Sequence, residues 1–87
     1  MMNMNWCELK GSPRQIPWAE EIRQKKVGIL IDRKGPIENM NPVRKAGMLL
    51  LIENVDDAGW WIDNRNADAE LVMRYAMNAF GGYNVPV

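Results

Sequence analysis

Apolar residues recur along this chain at helical rather than alternating intervals, in four blocks set apart by Pro and Gly. In the first block Ile16, Ala19, Ile22, Ile29 and Leu30 fall near one face, with Glu20, Glu21, Arg23 and Gln24 elsewhere on the wheel. Ahead of it, Ser12 suits an N-cap, Pro13 the first helical position, and Gln15 the far side of a capping box. Pro17 has no amide hydrogen and disfavours helical geometry at Ile16. The pattern therefore predicts a kinked or loosened first turn, regular helix from about Pro17 to Asp32, and a stop at Lys34-Gly35-Pro36.

Asn41-Pro42 repeats the cap-then-proline signature, and Val43, Ala46, Gly47, Leu50 and Leu51 form the stripe of a second helix ending near Asn54. Leu49-Leu50-Leu51-Ile52 is apolar almost all round, which marks the most buried element. A buried strand over 48–52 competes with helix there, and the helical flanks favour helix. Asp56 is the expected cap of a short third helix over Ala58 to Asn64, with Asp57 near the positive end of its dipole. A fourth helix spans about Asp68 to Phe80, with Leu71, Val72, Tyr75, Ala76, Ala79 and Phe80 as its apolar side, and stops at Gly81-Gly82. No segment reads firmly as strand. The expected fold is all-α: one domain over 1–87, a small bundle of about four helices with a short third, an N-terminal segment over 1–10 and a tail over 83–87.

Composition narrows what such a bundle can do. At 87 residues, 47% apolar and 25% charged, the chain supports one modest core and is not disordered. No apolar run approaches the roughly 18 residues of a membrane span, and Met1 to Trp6 carries no basic signal-peptide region. Cys7 is the sole cysteine, which offers neither a disulfide framework nor a thiolate metal site and suits a reducing cytoplasm. Histidine is absent, and Ser12 is the one Ser or Thr hydroxyl. Catalysis therefore lacks its commonest general base and metal binding its commonest ligand, and a non-enzymatic role without cofactor or metal is expected. The adjacent acids Glu20-Glu21 and Asp56-Asp57 do not face one another as a catalytic pair would, and no calcium-loop spacing occurs among the acids.

Net charge is zero but unevenly spread. Residues 1–45 hold nine Lys and Arg against five acids, and residues 46–87 hold two against six. Either two solvated halves attract each other across the fold, or one patch meets a partner of opposite charge.

Two clusters carry the densest chemistry. In Gly11 to Arg23, capping accounts for Ser12 and Gln15 and packing for Trp18, Ala19 and Ile22, which leaves Arg14 beside an exposed helix start. In Asp57 to Arg65, adjacent tryptophans point about 100° apart on a helix. Trp61 is expected to pack inward with Ala58 and Ile62, and Trp60 to lie at the rim, or else across a neighbouring helix or under the N-terminal segment with Trp6. Asp63, Asn64 and Arg65 either cap and pair within the loop or join Trp60 as a recognition edge, since Trp and Arg dominate interface hot spots. The candidate partner-binding residues are Arg14, Trp60, Asp63, Asn64 and Arg65.

Together the blocks Gly11-Ser12-x-Arg14-Gln15-Ile16-x-Trp18-Ala19-x-x-Ile22 and Asp57-Ala58-x-x-Trp61-Ile62-Asp63-Asn64-Arg65 resemble a short domain of phages and mobile elements. The pattern is shared with an anti-CRISPR protein directed at a type I-E system. Pro17 and the spacer between blocks depart from it, and nothing beyond Arg65 matches. The resemblance implies a phage-encoded inhibitor that acts in the host cytoplasm, binding a host defence protein, a CRISPR-Cas component first of all, and blocking it sterically. On that reading the acidic second half would suit a basic target groove. The alternatives are a nucleic-acid module, with Arg14, Arg23, Lys25, Lys26, Arg33 and Lys34 meeting phosphates, and a structural homodimer that buries an exposed Trp.

Overall fold

The computed structural model describes residues 5–87. The first four residues of the 1–10 segment, and of the Met1–Trp6 stretch read above, lie outside the described residues. Four helices follow in order: α1 Gln15–Lys34, α2 Pro42–Glu53, α3 Ala58–Asp63 and α4 Ala69–Phe80, with one 3-10 turn at Ile37–Asn39. The described residues contain no strand, so the fold is all-α and the 48–52 segment is helix. The 3-10 turn is the one element the pattern did not announce.

Local chemistry explains the boundaries. Ser12 and Gln15 form the reciprocal capping box: the Gln15 amide donates to Ser12 Oγ at 3.2 Å, and the Ser12 amide to Gln15 Oε1 at 3.1 Å. Helix α1 consequently starts at Gln15, two residues before the expected Pro17, and continues two residues past Asp32. Pro17 is tolerated because it is the third residue of α1, in the first turn, where an amide has no acceptor within the helix. Asn41 Oδ1 accepts the Arg44 amide at 2.8 Å ahead of Pro42. Asp57, not Asp56, caps α3 by accepting the Gly59 amide at 3.0 Å, while the Asp56 carboxylate pairs with Lys10 at 3.3 Å. Asp68 caps α4 through the Glu70 amide at 3.1 Å.

Helix α1 lies along α3 and also touches α2 and α4, and α2 packs on α4. The core gathers Leu30, Met48, Leu51, Ile52, Val55, Trp61, Val72 and Met77. At about 25 cal/mol per Å2 and roughly 200 Å2 of indole, Trp61 alone contributes on the order of 5 kcal/mol, and its Nε1–H is satisfied by the Val55 carbonyl. Gly47 lets α2 approach α4 closely: a Cβ there would stand 2.9 Å from both Met73 Cγ and Met77 Sδ.

The expected stripes hold in part: Ala19, Ile22 and Leu30 in α1, Gly47, Leu50 and Leu51 in α2, and Val72 and Ala76 in α4 are buried, and other residues join or replace the rest. In α1, Val27 and the charged Arg23 are buried beside Ala19, Ile22 and Leu30. In α2, Val43 is 60% exposed at the edge of the groove between α2 and α4, and Met48 and Ile52 are buried. In α4, Met73 and Met77 take core places, while Ala79 and Phe80 are exposed and Leu71 and Tyr75 half-buried.

Residues 7–10 and the C-terminal tail are held by hydrogen bonds. The Cys7 amide donates to the Ile52 carbonyl, the Lys10 amide to the Asp56 carbonyl and the Ala58 amide to the Lys10 carbonyl, and Leu9 is buried. At the other end, the Asn78 side chain donates to the Val85 carbonyl at 2.9 Å and accepts the Val85 amide at 2.7 Å, which folds the tail back on α4.

Every ion pair among the described residues joins a cation of the first half to an acid of the second: Lys10–Asp56, Arg33–Asp68 and Arg44–Glu70. The uneven charge therefore serves partly to hold the halves together. Hydrogen bonds from Arg33 and the Glu70 amide keep the Asp68 carboxyl below its ordinary range. Arg44 does the same for Glu70 against the opposing effect of burial. No described helix is long and apolar enough to cross a membrane.

Candidate functional site

The exposed side of α1 carries one continuous stripe. Arg14, Trp18, Glu21 and Lys25 follow at intervals of four, three and four residues, so they stack on one face, and all four are exposed. Trp18 is its centre, 47% exposed. The Arg65 guanidinium lies 5.3 Å from the Trp18 ring centroid, and Arg65 Nη1 also donates to the Ile62 carbonyl at 2.7 Å. The second bond ties the guanidinium to the end of α3, so the Trp18–Arg65 pair is held from both sides.

The two motif blocks meet along this contact. At its near end, Gly11 packs so tightly that a Cβ would come within 2.9 Å of both Ala58 Cβ and Gln15 Oε1. At its far end stands the Trp18–Arg65 pair. The start of α1 and the whole of α3 therefore run side by side in the same direction. Most motif residues have structural duties in this unit. Ser12 and Gln15 cap α1, Asp57 caps α3, and Ala19, Ala58, Trp61 and Ile62 are buried. Asn64 Nδ2 caps the other end of α3 by donating to the Trp60 carbonyl at 2.8 Å.

The candidate residues separate accordingly. Trp60 does not form an exposed edge: it is half-buried, edge-on to Trp61 at 5.2 Å and to Phe80 at 5.6 Å. Asn64 is a capping residue. Arg14, Asp63 and Arg65 are exposed, and of these Arg14 and Arg65 share the Trp18 face. Trp18 itself, read from the sequence as packing, is the exposed aromatic of the motif. Its signal was available, since it falls about 100° round the helix from Ala19 and in line with Arg14, Glu21 and Lys25.

A pocket of about 230 Å3 opens beside Trp18, between α1 and the α3–α4 connection. Trp18 and Ile22 wall it, Lys25, Lys26 and Arg65 supply its cations, and Glu21 and Asn66 complete the rim. The Lys26 ammonium donates to the Ala67 carbonyl, whereas Lys25 has no ion-pair partner among the described residues.

A larger groove of about 480 Å3 runs between α2 and α4, bordered by Val43, Met73, Met77 and Val85. Its partly buried polar groups, Arg44 and Glu70, are paired with one another. The groove contains none of the motif residues.

The six cations of the nucleic-acid alternative, Arg14, Arg23, Lys25, Lys26, Arg33 and Lys34, form no track for a phosphate backbone. Arg23 is 5% exposed and donates to the Cys7 carbonyl at 2.8 Å under the Trp6 ring. Arg33 is engaged by both oxygens of Asp68. Lys34 lies nine residues beyond Lys25, half a turn round α1. Only Arg14 and Lys25 share the Trp18 face without an ion-pair partner among the described residues.

No three metal-ligating side chains cluster among the described residues. No family model, curated protein or solved structure matches the chain.

Proposed function

We propose that this chain is a non-catalytic binding domain of the anti-CRISPR kind, which docks through its Trp18–Arg65 face on a host CRISPR-Cas component and blocks it sterically. The observation that carries the reading is the placement of Trp18. A large indole is left nearly half in water, fixed in position by Arg65, where both motif blocks converge. Trp and Arg are the residues most often found at the energetic centre of protein interfaces, and side chains already held in place lose little entropy on binding. The resemblance of the two blocks supplies the target class.

The test is capture of a type I-E effector complex by the tagged chain, together with phage plating on CRISPR-active cells. Stoichiometric capture and raised plating are expected from the native chain. Trp18→Ala should weaken capture at least about tenfold while the helical circular dichroism is kept. Failure to retain the effector, together with unchanged plating, overturns the reading.

A further inference from the structure

We infer that the pocket beside Trp18 takes an acidic segment of a partner protein, one carboxylate lying between Lys25 and Arg65 with an apolar neighbour on Ile22 and the open edge of Trp18. This rests on the reading of the Trp18 face as a protein-docking surface, and it names the chemistry of what docks. Four cations, Arg14, Lys25, Lys26 and Arg65, gather on the stripe and pocket against one carboxylate, Glu21. The chain as a whole is neutral, so this excess is local. The expectation that the acidic half would meet a basic groove concerns a different part of the surface, and three of the acids there are already paired with the first half.

Arg65 spends Nη1 on the Ile62 carbonyl and keeps its remaining donors for a ligand. A guanidinium anchored in this way presents a fixed fork, which suits a planar carboxylate. Lys25 adds an ammonium with no ion-pair partner among the described residues. A nucleic acid fits less well. Arg65 already covers the Trp18 ring on which a base would stack, Glu21 stands within the pocket, and burial or pairing removes Arg23 and Arg33 from any extended phosphate path.

The experiment follows the Trp18 indole N–H by NMR while three probes are added. They are a capped hexapeptide of Asp and Glu around one Phe, the same peptide with Asn and Gln, and a thymidine oligonucleotide. A saturable shift with the acidic peptide alone is expected, weakened roughly tenfold or more by Lys25→Glu with Arg65→Gln. Equal binding of the neutral peptide, no binding of the acidic one, or tighter binding of the oligonucleotide overturns the inference. Effector capture separates the two proposals. A Lys25→Glu chain that captures the effector as well as the native chain refutes the acidic partner and leaves docking standing. Acidic-peptide binding without effector capture refutes the docking target alone.

Discussion

Arg23 and Arg65 each set a guanidinium against an indole, at 4.9 Å from the Trp6 ring centroid and 5.3 Å from that of Trp18. Each also donates to a backbone carbonyl, of Cys7 and of Ile62. The chemistry is the same, and the burial is opposite. Arg23 is 5% exposed and clamps the N-terminal segment to α1, whereas Arg65 and Trp18 both stand in water. A buried cation is held by its surroundings because removing its partner leaves an unpaired group in a poor solvent. An exposed one is worth little to stability and remains available to another molecule. A Trp–Arg pair marks an interaction surface only where the fold does not already use it.

The largest effect is expected at the buried pair. Arg23→Ala should lower unfolding free energy by about 2–3 kcal/mol, through loss of a charge-assisted bond and of the packing of the Arg stem. Denaturant unfolding measures this, and amide exchange at Cys7 and Lys10 should accelerate as well. A variant within about 0.5 kcal/mol of the native chain would mean that Arg23 is no clamp. Gly11→Ala comes next. The added methyl meets Ala58 Cβ at 2.9 Å, a neighbour that cannot swing away, so a loss of about 1–2 kcal/mol in thermal or chemical unfolding is expected. A neutral result would show that the two motif blocks are not locked together there. The smallest effect belongs to the exposed pair. Trp18→Ala should change stability by less than about 1 kcal/mol, the cost of one exposed cation–π contact. A larger loss in the same assay would make Trp18 part of the frame and remove the contrast.

The helices were legible because their ends are written in local chemistry. Ser12 with Gln15, Asn41-Pro42 and Gly81 each act within a turn, so the boundaries fell within about two residues of the structure. Asp56 and Asp57 show the limit: adjacent acids both suit a cap, and the pairing of Asp56 with Lys10, 46 positions earlier, decides between them. The phase of the apolar stripes was less legible. In α4, Val72 and Ala76 are buried as expected, but Met73 and Met77 take the places expected of Leu71, Tyr75, Ala79 and Phe80, a choice made by contact with α2 and α1. The exchange of roles between Trp60 and Trp18 has the same origin. Phe80 arrives beside Trp60 through the packing of α4, and Arg65 beside Trp18 through the packing of α3 on α1. Neither proximity is encoded in spacing along the chain.

The segment from Cys7 to Lys10 has a consequence for how the molecule is made. Its backbone partners are Ile52, Asp56 and Ala58, more than forty residues downstream. While the ribosome is extending the chain, the site for Leu9 does not exist until α2 is finished and α3 has begun. Contacts of such separation close only after the intervening loop has been ordered. The earliest residues of the clamp to leave the tunnel are therefore the ones that must wait longest for their place.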